Sequence, residues 1–253
     1  MEIITSAANQ TIKRVKSLYS KKGRDADGTF VVEGAKFIAE IAPPWEVVLV
    51  MASRSYADAH GLNSGDSVIV ADRIFPADTA NSQGLLAVVK QRVFAVDDVL
   101  RGENPLLLVL EEISDPGNLG TMLRIAHGLG FCGVILAGDC ADVYNPKVVR
   151  SSAGSLFHVP FAKCCRVADV LPRLKQHGIS TFAATSAGGT ALNKLDFSCS
   201  AAILIGNEAR GLSDTALELT DGRVTIPAAA ESLNAAVACG ILAYECYRQR
   251  NLT

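Results

Sequence analysis

No apolar run in this chain approaches the ~20 residues that a membrane-spanning helix needs. The opening Met1-Glu2-Ile3-Ile4-Thr5-Ser6 lacks the basic stretch and apolar core of a secretory leader. The expectation is a soluble, cytoplasmic protein with no membrane partner. Paired cysteine motifs are missing too. The seven cysteines (Cys132, Cys140, Cys164, Cys165, Cys199, Cys239 and Cys246) are odd in number, scattered and without a CxxC pair, so neither a disulfide framework nor a zinc site is suggested. Most lie in apolar surroundings and read as small core residues. No cluster of metal-ligating side chains occurs, and no metal is expected. Nor does one sign of charge dominate: 24 Lys and Arg stand against 26 Asp and Glu, for a net charge of −2. That balance argues against a uniform electrostatic grip on nucleic acid. Internal repeats and low-complexity segments are absent.

What is present is material for a core. Hydrophobic residues make up 49% of the chain, which excludes disorder, and 253 residues allow one large domain or two ordinary ones. Charge is also unevenly placed. Lys13, Arg14, Lys16, Lys21, Lys22 and Arg24 cluster early, and Glu2 is the only acid before Asp25. A basic cluster on a short helix can contact phosphates, or it can be a solvated helix face.

Hydrophobic periodicity divides the chain in two. Residues 1–92 read as a small α/β unit. It has helices at 10–19, 35–41 and 55–60, a polar turn at 23–28, and strands at 30–34, 47–51, 68–70 and 85–89. Residues 93–105 are polar, end in Gly-Glu-Asn-Pro, and read as a linker. From 106 onward strands and helices alternate, the signature of a parallel sheet. Strands are expected at 106–110, 133–137, 157–160, 180–185, 201–205 and 223–226. Helices are expected at 119–129, 146–152, 167–177, 215–219 and 232–249.

One GxGxxG match, Gly128-Leu129-Gly130-Phe131-Cys132-Gly133, is rejected as a dinucleotide site. Its glycines end a helix and lead into a strand, the reverse of the required order. Three other segments follow strands and open helices, where open α/β sheets bind ligands. The first is Asp115-Pro116-Gly117-Asn118 with Arg124; Asn118 can simply cap a helix, and Arg124, in an otherwise apolar helix, should reach an anion, either an ion-pair partner or a ligand. The second is Ile205-Gly206-Asn207-Glu208-Ala209-Arg210-Gly211, whose bounding glycines let backbone approach a ligand closely. The third is Ile226-Pro227 with Ser232-Leu233-Asn234, in which Ser232 can be an N-cap.

In that order these motifs resemble the SpoU (TrmH) family of RNA ribose 2′-O-methyltransferases, of the SPOUT superfamily. Intervening pieces agree: Asn145-Pro146-Lys147-Val148-Val149-Arg150 with Ser152-Ala153-Gly154, and a Ser-Ala-Gly-Gly after the strand at 180–185. The resemblance spans about residues 106–250. Less specifically, residues 1–92 resemble the ribosomal-protein-like substrate-binding domain that many members carry.

The resemblance implies a parallel-sheet domain over 106–253 with a C-terminal trefoil knot, S-adenosyl-L-methionine as cofactor, an RNA partner and a homodimer. Carried over residue by residue, Arg124 would bind the target phosphate and help activate the hydroxyl, and Asn118 would hold the geometry. Glu208, Ser232 and Asn234 would position the nucleotide and the arginine. Thr185, Ser186, Gly206, Asn207, Gly211, Ile226 and Leu233 would bind the cofactor. Lys13, Arg14, Lys16, Lys21, Lys22, Arg24 and Arg150 are the candidate RNA contacts. The N-terminal unit favours large-subunit ribosomal RNA over transfer RNA.

Three other readings are weaker. A non-catalytic RNA binder would be expected to lose Arg124, Asn118 or Asn234. A nicotinamide oxidoreductase would need a glycine loop after the strand at 106–110. A transfer RNA guanine-N1 methyltransferase of another SPOUT branch would not carry the Asn–Arg pair.

Overall fold

A computed structural model describes residues 3–63, 65, 67–77 and 82–252. The chain divides into two compact units, Met1–Arg92 with Asp142–Phe157, and Val93–Ala141 with His158–Thr253. Among the described residues no helix is long and apolar enough to cross a membrane.

In the first unit, Asn9 caps α1 (Gln10–Ser17) by accepting from the Thr11 amide at 2.8 Å. Its Ile12 and Val15 are buried with Leu18, Val31, Met51, Leu86 and Val88. Four strands, β1 (Thr29–Glu33), β2 (Val47–Ser53), β3 (Val68–Val70) and β4 (Leu85–Lys90), form a sheet in the order β1-β4-β2-β3. It is mixed: β4 runs antiparallel to both neighbours, and β2 and β3 are parallel. The polar stretch expected as a turn at 23–28 is instead a helix, α2 (Lys21–Asp27). Ser20 caps its start and Gly28, at φ +72°, closes it, so capping at both ends outweighs the polar composition. Helices α3 (Ala35–Ile38) and α4 (Arg54–His60) complete the N-terminal part.

Residues 142–157 join this unit through aromatic packing. Phe30 lies 4.6 Å from Tyr144 between ring centroids, Trp45 meets Phe157 edge-on at 5.4 Å, and Trp45 Nε1 donates to the Phe157 carbonyl at 3.0 Å. Arg24, 2% exposed, is paired with Asp142 at 2.7 Å and also donates to the Leu18 carbonyl. Within this segment α7 (Pro146–Ser151) follows its Asn145 cap, and a single turn of 3₁₀ helix covers Ser155–Phe157.

In the second unit, the segment read as a linker carries a short helix, α5 (Val96–Val99), whose Val99 is buried in the core. Seven parallel strands follow: β5 (Leu106–Glu111), β6 (Gly133–Ala137), β7 (Phe161–Cys164), β8 (Ser180–Thr185), β9 (Thr190–Ala191), β10 (Ala201–Ile205) and β11 (Gly222–Thr225). Their order is β7-β6-β5-β10-β8-β11-β9. The central strands β5, β6 and β10 are wholly buried and continuously apolar apart from Glu111, as a sheet covered on both faces requires. Helices α6 (Pro116–Gly128), α8 (Val167–Gln176), α9 (Asp214–Leu219) and α10 (Ala235–Asn251) connect and cover it.

Three expected boundaries move. The strand expected at 157–160 begins only after Pro160, which cannot donate to a ladder. Helix α6 starts at Pro116 with Asp115 as its cap, so Asn118 is not the cap but lies inside the first turn. Helix α10 starts at Ala235 with Asn234 as cap, which leaves Ser232 in the preceding loop.

Candidate active site

The chain leaves β5 toward β6 on one side of the sheet and leaves β10 toward β11 on the other. The neighbours β5 and β10 therefore flank the point where strand order reverses, and ligands of open parallel sheets bind in the crevice outside the carboxyl ends of such strands. Residues 112–118 leave β5 there, and residues 206–212 leave β10.

The second loop is tightly closed. Asn207 and Gly211 exchange backbone hydrogen bonds of 3.0 and 2.9 Å, and the Asn207 carboxamide oxygen accepts from the amides of Ala209 and Arg210. Gly211 sits at φ +71°. Gly206 touches the returning strand so closely that a β-carbon would lie 2.3 Å from the Gly211 carbonyl carbon and the Leu212 nitrogen. Only glycine fits.

Glu208 ties the two loops together. Its carboxylate accepts from Asn118 Nδ2 at 2.9 Å, from Ser114 Oγ at 3.1 Å, and from the Ser114 and Asp115 amides at 3.3 Å. Asn118 Oδ1 in turn accepts from Asn234 Nδ2 at 3.3 Å, while Asn234 Oδ1 caps α10 through Ala236 and Val237. Partial burial pushes the Glu208 carboxyl up, but the hydrogen bonds from Asn118 and the backbone amides outweigh it and hold the group below its ordinary range. Glu208 is therefore ionised at neutral pH, a fixed negative charge rather than a proton acceptor poised for catalysis.

A pocket of about 420 Å³ opens beside this cluster. All seven expected cofactor residues line it: Thr185, Ser186, Gly206, Asn207, Gly211, Ile226 and Leu233. Glu208 and Ser232 line it as well. Thr185 is further held by Thr225, whose hydroxyls lie 3.3 Å apart, and Thr225 Oγ1 accepts from the Gly189 amide. The remaining wall is partly apolar (Leu212, Leu217, Val224, Leu242) and partly charged (Arg210, Glu231). The sequence reading missed Glu111 and Glu112, which support the second loop from behind: Glu111 accepts from Ser213 N and Oγ, and Glu112 from Asn207 and Arg210. The available signal was two consecutive acids directly after an all-apolar strand.

Other expected residues lie elsewhere. Arg124 is exposed on α6, is not part of the pocket lining, and has no partner among the described residues. Of the basic cluster, Lys13, Lys16 and Lys22 are exposed; Arg14 pairs with Asp27 at 2.8 Å and Lys21 with Asp25 at 2.7 Å. Arg24 is withdrawn from the candidate RNA surface altogether, because burial against Asp142 uses its charge inside the protein. Arg150, half-buried on α7, belongs to the first unit.

Fold and site together define a parallel-sheet α/β protein with a glycine-tight pocket at the topological switch point. A family model described as the SpoU rRNA methylase family matches residues 105–244, and one described as an MRM3-like substrate binding domain matches residues 9–87. The chain belongs to the SpoU methylase family. It is 32% identical over 250 residues to the Bacillus subtilis 23S rRNA (guanosine(2553)-2′-O)-methyltransferase RlmP, covering 96% of this chain and 98% of that one. Its structure resembles an rRNA methyltransferase from Sinorhizobium meliloti with a TM-score of 0.88 at 27% identity, over 98% and 97% of the two chains. It also resembles the SpoU methyltransferase AviRb from Streptomyces viridochromogenes, solved with AdoMet bound, with a TM-score of 0.83 at 28% identity over 95% and 98%.

The pocket of this chain suits such a ligand. Apolar side chains can face a flat base, the closely approaching 206–211 backbone offers polar groups, and the ionised Glu208 favours a nearby cation such as a sulfonium.

Proposed function

We propose that this protein transfers a methyl group from S-adenosylmethionine to a ribose 2′-hydroxyl of large-subunit ribosomal RNA, in the cytoplasm. The observation that carries the reading is the Glu208–Asn118–Asn234 linkage, centred on Asn118, directly beside a pocket lined by every residue the motifs assign to the cofactor. The choice of ribosomal RNA rests on the RlmP and Sinorhizobium enzymes, which share both parts of this chain.

The bound cofactor supplies an electrophilic methyl on a cationic sulfur. The protein's work is to hold and activate the nucleophile. A ribose hydroxyl is a weak nucleophile at neutral pH, and negative charge develops on its oxygen as its proton passes to solvent water. Arg124, a guanidinium with no partner among the described residues, is assigned to the phosphate beside that hydroxyl, where it also stabilises the developing charge. Asn118, Ser232 and Asn234 orient the nucleotide, and Glu208 fixes Asn118. The exposed Lys13, Lys16 and Lys22 and the half-buried Arg150 are assigned to RNA phosphates, with Arg14 and Lys21 at the margin.

A second copy of this chain completes the picture. On α10, Val237, Ile241 and Tyr244 are 52%, 38% and 53% exposed and share one face, while Ala236, Cys239, Leu242, Ala243 and Cys246 are buried on the other. From Ala235 to Tyr244 the helix is apolar on both faces, and a homodimer through the exposed stripe supplies a partner for the second. Light scattering at micromolar concentration should give twice the 26.7 kDa chain mass; a monomer would refute the dimer. The C-terminal trefoil knot remains part of this proposal on family resemblance.

The deciding experiment is transfer of labelled methyl from S-adenosylmethionine to total RNA from cells lacking the gene, followed by nucleoside analysis. A 2′-O-methylated nucleoside from the large ribosomal RNA is the expected product. Label confined to transfer RNA would overturn the substrate, and label on a base would overturn the chemistry.

A further inference from the structure

The backbone of Glu112 is in the left-handed region, at φ +53°, a conformation that L side chains with a β-carbon adopt at a cost. The residue follows β5 immediately, and its amide still donates to the Ala137 carbonyl of the neighbouring strand at 3.0 Å. Its side chain packs over Gly138, where an added β-carbon would lie 3.0 Å from Glu112 Cγ. With the chain turned this way, one residue holds the 207–211 loop at two points. The Glu112 carbonyl accepts from Asn207 Nδ2 at 2.7 Å, and its carboxylate accepts from Arg210 Nη2 at 2.6 Å. Asn207 and Arg210 both line the pocket.

We infer that Glu112 is a positioning residue for the methyl-donor pocket, kept in a strained conformation because that conformation hangs the 207–211 loop from both its carbonyl and its carboxylate. The inference rests on the pocket being the cofactor site. The Arg210–Glu112 pair is largely solvent-exposed, 73% and 41% for the two side chains, and an exposed ion pair contributes little to stability. A residue whose backbone is strained and whose carboxylate makes only an exposed pair has no evident stabilising purpose for that side chain. Its effect is on where the loop sits, and so on how tightly the donor is held.

Glycine adopts the same backbone without strain, which separates positioning from stability. Glu112→Gly is expected to melt no lower than the wild type. It should weaken S-adenosylmethionine binding by calorimetry about tenfold, a difference of ~1.4 kcal/mol. At saturating donor kcat should stay near the wild-type value, so that the loss appears in KM. Arg210→Ala should weaken binding similarly at unchanged melting temperature, and the double variant should be no worse than Glu112→Gly alone, because both remove one contact. Unaltered affinity in Glu112→Gly overturns the inference. So does weaker binding accompanied by a lower melting temperature, which marks a merely structural role. Should Glu112→Gly fail to fold, Arg210→Ala decides alone: weaker binding at unchanged melting temperature supports the inference, and wild-type binding overturns it. Failure of the wild type to bind S-adenosylmethionine would instead remove the assignment of the pocket.

Discussion

Arg124 and Glu208 are both charged, yet their surroundings give them opposite tasks. Glu208 is saturated with donors: a carboxamide, a hydroxyl and two amides converge on its two oxygens. A carboxylate so satisfied has little left to offer a proton, and its charge serves to lock Asn118 and to favour a cation nearby. Arg124 is the reverse case, an exposed guanidinium on a helix whose neighbours Leu119, Met122, Leu123 and Ala126 are all buried. An arginine in that position, with no partner among the described residues, is available to an external anion. Arg124→Ala should therefore lower methyl transfer by roughly 10²–10³, the range seen when one donor to a developing oxyanion is removed. Affinity for S-adenosylmethionine should stay within about twofold of the wild type, since the side chain is outside the pocket. Loss of cofactor binding in that variant would show that the residue has been given the wrong role.

At the scale of the element, helix starts decide which side chains are free for chemistry. Asn118 reads from sequence as a good N-cap, and that reading competes with a functional one. The structure removes the competition, because Asp115 accepts from the Asn118 amide at 2.8 Å and takes the cap, with Pro116 in the first turn. The two residues should separate on mutation. Asp115→Ala should cost about 1 kcal/mol of stability as a lost cap. Asn118→Ala should leave the melting temperature nearly unchanged but slow methyl transfer roughly 10- to 100-fold, the equivalent of one hydrogen bond to a charged group. Equal melting losses in both, with activity intact in Asn118→Ala, would contradict this division.

The same competition at α10 runs the other way. Ser232, which reads as a cap, lies in the pocket loop, and Asn234 both caps and reaches Asn118. Strands were legible because their apolar runs are unbroken; β8 and β10 fall on the residues their patterns indicate. Caps were less legible because Ser, Asp and Asn are interchangeable in that role, and only geometry shows which one is used. The polar segment at α2 was misread for a related reason: in a seven-residue helix the ends matter as much as the interior.

At the scale of the whole molecule, sequence order and compact units do not coincide. The composition change near residue 92 marks one boundary, but residues 142–157, which follow β6 in the chain, fold with the N-terminal residues. Their motif, Asn145-Pro146-Lys147-Val148-Val149-Arg150, is visible in sequence, whereas their packing partners are more than fifty residues away and carry no local signal. Arg24 illustrates the limit. Read along the chain it is one of seven candidate RNA contacts; folded, it is 2% exposed and joined to Asp142 by two hydrogen bonds of 2.7 and 3.1 Å. Its third bond, to the Leu18 carbonyl, ties α1 to the same point.

Removing one partner of a buried pair leaves the other charge uncompensated, and the usual cost is about 3–5 kcal/mol. Arg24→Ala should therefore destabilise by that order in urea unfolding, far more than Lys13→Ala or Lys16→Ala, whose side chains are exposed. Replacing Asp142 by Asn in the Arg24→Ala background should recover part of the loss, because the stranded carboxylate is then gone. A loss below ~1 kcal/mol would mean that the pair is as dispensable as a surface contact. If Arg24→Ala instead weakened RNA binding while leaving unfolding unchanged, Arg24 would return to the basic surface on which its sequence neighbours place it.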